Sequence, residues 1–144
     1  MKKSKIQYVL GFVFDASLQQ VLLIHKNRPD WQKGRVNGLG GKIEKDETPL
    51  QAMSRELAEE SNLLVAQDAW MTVGEMSFMG GEVFVFTVQY KGELKDAATV
   101  TDEVVRWYPK DLLPENINTN LNWLVPLCIN KIKEGKPKHI AVIY

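Results

Sequence analysis

Residues 37–63 constrain this chain more than any other stretch. Asn37-Gly38-Leu39-Gly40-Gly41 gives the backbone freedom to turn and to approach other backbone closely. Helix signals follow almost at once. Thr48 and Gln51 form a capping box, and Pro49 takes the first helical position. Leu50, Met53 and Leu57 then recur at helical spacing as far as Ser61. A chain built this way must turn sharply and then lay a short amphipathic helix against the layer it has just left.

That helix carries an unfavourable set of charges. At roughly 100° per residue, Glu56, Glu59 and Glu60 fall within about a 100° arc bordering the Leu50–Met53–Leu57 stripe. Ser54, Ala58 and Gln51 take the outer side. Like charges at i and i+4 cost ~0.2–0.5 kcal/mol. Glutamates in a last turn oppose the helix dipole by roughly 0.3–1 kcal/mol each. One reading is a solvated acidic face. The other is a cation site, where a divalent ion turns the repulsion into coordination; carboxylate oxygens suit Mg²⁺ or Mn²⁺.

The rest of the chain supplies strands. Residues 5–14 and 19–26 read as a hairpin joined by Asp15-Ala16-Ser17, and 27–36 as a polar loop. Residues 70–79 and 82–91 read as a second hairpin turning at Gly80-Gly81, with 104–108 and 139–144 as further strands. Residues 121–133 are apolar at helical spacing, and Pro126 is expected to distort or break that helix. Cys128 reads as a core residue of this helix, Trp123 as a core aromatic or a wall for stacking, and His25 as a structural residue at a strand end. Mixed strands with two helices indicate a layered α/β (α+β) domain. No linker or repeat divides residues 1–144, which read as a single domain.

Composition narrows the function. The chain has 144 residues, with Lys plus Arg and Asp plus Glu at 18 each, so no net field favours nucleic acid or a membrane surface. One cysteine and two histidines exclude an internal disulfide and thiolate- or histidine-rich metal sites. The basic start followed by residues 6–14 superficially resembles a signal peptide, but Gln7 interrupts the run and it reads as a strand; a cytoplasmic protein is the expectation.

Gly41, Glu47 and the run Arg55-Glu56-Leu57-Ala58-Glu59-Glu60-Ser61-Asn62-Leu63 resemble the Nudix box, G-x5-E-x7-R-E-U-x-E-E-x-G-U with U aliphatic, over residues 41–63. Asn62 stands where the family has glycine; it follows the helix end, where Asn is the usual second choice for a left-handed cap. The resemblance implies a Nudix-type α/β/α sandwich with a mixed β-sheet. It also implies Mg²⁺ or Mn²⁺ held by Glu56, Glu59 and Glu60, often with the Gly40 carbonyl. Glu56 would serve as base for the attacking water, and Glu47 would pair with Arg55 to orient the helix. The reaction implied is hydrolysis of a nucleoside diphosphate linked to another moiety.

Residues 34–42 further resemble the MutT-like, oxidised-purine triphosphatase branch of that family. There the asparagine matching Asn37 hydrogen-bonds the base; as a residue before Gly38, Asn37 equally reads as a turn residue. Trp31 either stacks on the base or packs in its loop. Glu103 matches a further glutamate on the metal side, as distal ligand or base. Asn120 lies where that branch has paired aspartates and is a candidate base-binding residue, although the absence of aspartate here counts against oxidised-guanine selectivity. Arg35 and Lys42 are candidates for the phosphate tail, while Arg28 reads as a solvated loop charge. The implied partner is a small nucleotide, with no nucleic acid or membrane. ADP-ribose, a dinucleoside polyphosphate, or nucleotide binding without catalysis are the alternatives. Many relatives dimerise, so a homodimer is compatible, although no segment marks an interface.

Overall fold

In the computed structural model, which describes residues 5–135 and 140–144, one mixed sheet lies between two helices. The strands are β1 (Ile6–Phe14), β2 (Gln20–His25), β3 (Val36–Asn37), β4 (Leu39–Lys42), β5 (Met71–Phe78), β6 (Gly81–Gln89), β7 (Val105–Pro109) and β8 (Ile140–Ile143). The helices are α1 (Pro49–Ser61) and α2 (Leu121–Glu134). The path β3-β2-β1-β6-β5-β8 is antiparallel except for β1–β6 and β5–β8; β4 joins β1 and β7 joins β2.

Period-two alternation sorts the core into two layers. From β1, Val9 and Val13 face α1, while Leu10, Phe12 and Phe14 face α2. From β2, Leu22 and Ile24 face α1, and Val21 and Leu23 face α2. Met53 and Leu57 of α1 and Leu121, Leu124, Val125 and Cys128 of α2 close the two layers. This is the expected α/β/α sandwich.

The first hairpin opens part-way. Val13 pairs with Leu22 and Phe14 with Val21, but two residues beyond Val13 and Leu22 in that register, Gly11 and Ile24 pair instead with Leu39 and Asn37. The chain at 36–42 is driven like a wedge between β1 and β2. Of the glycines expected to turn the chain, Gly40 and Gly41 therefore serve as strand and Gly38 links β3 to β4, because they permit close backbone approach. A Cβ on Gly40 would fall 1.9 Å from the Val9 carbonyl oxygen, and one on Gly38 would fall 2.8 Å from that of Gly11. Gly11 itself makes room for Met53, whose Cε would lie 2.6 Å from a Cβ there.

Other differences are local. The second hairpin turns at Met79-Gly80, with Gly80 at φ +86°, and Gly81 already pairs with Phe78. Pro126 does not break α2. It sits on the exposed side with Asn122, whose unpaired carbonyl can bond water, while the opposite face holds the helix onto the sheet. Trp123 is 38% exposed rather than core, and Cys128 is buried as expected. Ser54 turns inward from the outer side: its hydroxyl donates to the Val65 carbonyl and accepts from Trp70 Nε1. His25 bonds Tyr108 through Nε2, in keeping with a structural role. His139 and residues 1–4 lie outside the described residues.

Candidate active site

Helix α1 is fixed at both ends. Thr48 and Gln51 exchange the two bonds of the capping box, and Asn62 closes the helix in the left-handed conformation at φ 67°. Glycine is therefore dispensable at that position. Fixed ends set the rotation that places the carboxylates over β4.

Glu60 is buried at 7% exposure and accepts the Gly40 N–H at 2.9 Å. Glu56 lies against the bare backbone of Gly41, where a Cβ would come within 2.5 Å of Oε1. Burial, then the charge of Glu56, pushes the Glu60 carboxyl up to about 8, against the opposing pull of Lys26 and the Gly40 N–H. Burial also raises Glu56, with the Arg55 hydrogen bond countering it.

Arg55 is the organising cation. Its Nε and Nη2 grip Glu47 at 2.7 and 2.9 Å, and Nη2 also donates to the Lys42 carbonyl at 3.1 Å. Nη1 reaches Glu56 at 3.0 Å and Glu59 at 3.2 Å. The Glu44 N–H donates to the same Glu47 carboxylate. This bidentate grip ties the loop before α1 to the helix and depresses the Glu47 carboxyl below its ordinary range. The Glu47–Arg55 pairing expected from the resemblance is present.

Arg55 also holds Glu59 outward, with its side chain 57% exposed. Among the described residues no three carboxylate, imidazole or thiol groups are gathered to hold a cation, so the expected Glu56–Glu59–Glu60 set is not assembled. At Gly40 the N–H meets the cluster, donating to Glu60.

Glu103 reaches this neighbourhood from the loop before β7. It is 5% exposed, and its charge contributes to the upward shift of Glu60. Oε1 pairs with Lys26 Nζ at 3.2 Å. Lys26 escaped the sequence reading, although β2 alternation places it on the same face as Leu22 and Ile24, beneath α1. Its charge acts on both Glu56 and Glu60.

The nucleotide-side candidates divide. Asn37 Oδ1 accepts the Gly38 N–H at 2.8 Å, and Nδ2 donates to Gln32 Oε1 at 3.4 Å, so the amide is held at both ends. Gln32 is a second residue the sequence did not mark. Trp31, beside it in a 3-10 turn, is 70% exposed and not packed in its loop. Asn120, at the start of α2, contacts Met76 Sδ at 3.9 Å through Nδ2, and its Oδ1 is buried without a hydrogen-bond partner. It joins the wedge only indirectly, through Asn116 and Asn118, whose backbone brackets Val36. Arg35 and Lys42 are exposed and make no ion pair among the described residues. Arg28 is exposed but tied to Asp102 at 2.6 Å.

A family model for the NUDIX domain matches residues 5–126. The chain belongs to the Nudix family. It is an enzyme of the Nudix hydrolase type. Among curated relatives, the mouse oxidized purine nucleoside triphosphate hydrolase is 32% identical over 123 residues, 80% of this chain and 75% of that protein. A MutT Nudix hydrolase from Burkholderia pseudomallei superposes with TM-score 0.71 at 18% identity, over 87% of this chain and 98% of the other. The Nudix domain of Shewanella oneidensis NrtR, solved with ADP ribose, gives TM-score 0.75 at 19% identity, over 91% of this chain and 90% of the other. These two likenesses bear on fold. No helix among the described residues is long and apolar enough to cross a membrane.

Proposed function

We propose that this Nudix hydrolase cleaves a nucleoside or deoxynucleoside triphosphate to the monophosphate and pyrophosphate, using a divalent cation, Mg²⁺ or Mn²⁺. The observation that carries this reading is the pair Glu56 and Glu60, one half-buried and one buried, packed over Gly40–Gly41, with the Asn37 amide presented from the same wedge of strand. A half-buried and a buried carboxylate kept together, the buried one pushed up to about 8, are costly unless a cation neutralises them.

The donor set fits a hard cation. It is all oxygen, and the missing side chain at Gly41 leaves the space that the Glu56 carboxylate uses. Glu56 and Glu60 would hold the ion, with Glu59 joining once it leaves Arg55 Nη1. When bound, the ion supplies charge neutralisation for the diphosphate and the departing oxygen. The protein's residues do the rest. Glu47 and Arg55 fix the helix rotation, and Glu56 accepts the proton of the attacking water. The Asn37 Nδ2 donor meets an acceptor on the base, Trp31 offers a stacking face, and Arg35 and Lys42 meet the phosphate tail. The mouse relative's substrate class agrees with this reading. Asn120 in place of acidic residues argues for a base other than one selected by carboxylates.

The test is incubation with Mg²⁺ and a panel of common and oxidised dNTPs, NTPs, ADP-ribose and a dinucleoside polyphosphate, with products separated by ion exchange. Conversion of one triphosphate to monophosphate and pyrophosphate supports the reading and names the base. Cleavage confined to ADP-ribose or the dinucleoside, or tight binding without turnover, overturns it.

A further inference from the structure

The Glu103 carboxylate is already spent on the protein itself. Oε2 accepts the backbone N–H groups of Asn27 at 2.6 Å and Arg28 at 3.3 Å. Oε1 meets Lys26 Nζ at 3.2 Å, with Arg28 Nη1 at 3.8 Å. An ionised carboxylate offers about four lone-pair sites. Four donors surround this one.

The same acidic pair grips the strand end twice. Asp102 takes the Asn27 side-chain amide on its carbonyl at 2.8 Å and Arg28 Nη2 on its carboxylate at 2.6 Å. The support is itself stiff. Thr101 Oγ1 accepts the Glu103 N–H, and the His25 N–H donates to the Val104 carbonyl at 2.8 Å. What is held is the base of one loop. Lys26 closes it by pairing with Arg35 and Gly34 at 2.8 and 2.9 Å, and the loop between carries Trp31 and Gln32.

We propose that Glu103 is a positioning residue. It latches Lys26, Asn27 and Arg28, so that the loop bearing Trp31 and Gln32 and the Lys26 ammonium are held in place before substrate arrives. The buried latch uses its oxygens for backbone N–H groups that no other side chain satisfies. It therefore acts on nucleotide affinity through the loop.

The latch can be read without activity. Lys33 and Arg35 are exposed tryptic sites inside the loop. In the metal-free protein, brief trypsin treatment with mass identification of the first cuts should show cleavage after Lys33 or Arg35 about tenfold faster in Glu103→Ala, with Glu103→Gln between it and the parent. The Gln variant keeps one acceptor and guards against a folding failure in the Ala variant. With the triphosphate found in the panel, KM should rise about tenfold, equivalent to ~1.4 kcal/mol, a larger factor than any fall in kcat. The kinetic arm rests on the proposed function; the proteolysis arm does not, and decides alone if no triphosphate is turned over. Unchanged cleavage in both variants overturns the latch. So does a collapse of kcat at constant KM, which would make Glu103 a participant at the reacting atoms.

Discussion

The two helices cover opposite faces of one sheet under opposite rules. Helix α2 breaks local rules, with no side-chain cap at Asn120 and a proline in its interior, yet it stands because a continuous apolar stripe holds it to the sheet. Helix α1 obeys them at both ends, with a full capping box and a left-handed Asn62, yet it buries an acidic residue in its last turn. Where packing is generous, local signals can be poor. Where the packed face must also carry charge, caps and the Glu47–Arg55 grip keep the helix in register.

The largest expected effect that separates the two helices is on turnover. Glu56→Gln should lower kcat by about 10²–10⁴-fold with the melting curve preserved, measured on the panel's best substrate. Unchanged turnover would reject the mechanism. Arg55→Lys comes next. A lysine cannot reproduce the fork on Glu47, so a loss of about 1–3 kcal/mol in urea unfolding is expected, together with lower activity. The partial exposure of the pair, 23% for Arg55 and 13% for Glu47, keeps this below the cost of breaking a fully buried pair.

A pH series sharpens the contrast further. The Glu60 carboxyl stands at about 8 in the folded chain, above its ordinary value of 4.5. The folded state thus holds a proton that the unfolded state releases between those values. Its stabilising contribution is full below about 4.5 and is lost as pH rises through about 8. Metal-free protein should melt lower at pH 9 than at pH 6, and Glu60→Gln should flatten that slope. A slope identical in the variant would remove Glu60 as its source. Smaller effects test the α2 side. Pro126→Ala should stabilise by about 1 kcal/mol, by restoring a helix bond on the exposed face, and leave kcat unchanged. Asn62→Gly should change stability by less than about 1 kcal/mol, since both residues accept the left-handed conformation.

Much of this was legible in the chain. The α1 boundaries, its caps and the acidic arc follow from local signals, which depend only on near neighbours in sequence. The Nudix resemblance added the Glu47–Arg55 pairing. The wedge at 36–42 was not legible, because Gly38 and Gly40 read equally as turn or as strand until Gly11 and Val9 are known to lie against them. Lys26 and Glu103 gained each other as partners from pairing across distant stretches, and no spacing rule encodes that; Gln32 meets Asn37 only five residues on, but across an irregular loop that no periodicity describes. Pro126 misled because the sequence alone does not say which side of α2 faces solvent.

The most direct measurement is thermal melting at pH 8.5 across a Mg²⁺ series, for the parent and Glu60→Gln. The parent should begin lower and rise with saturation as the ion replaces the missing counter-charge, while the variant should begin higher and rise little. A parent that gains nothing from Mg²⁺, or a variant that gains equally, would contradict the account of the buried carboxylates as a cation site.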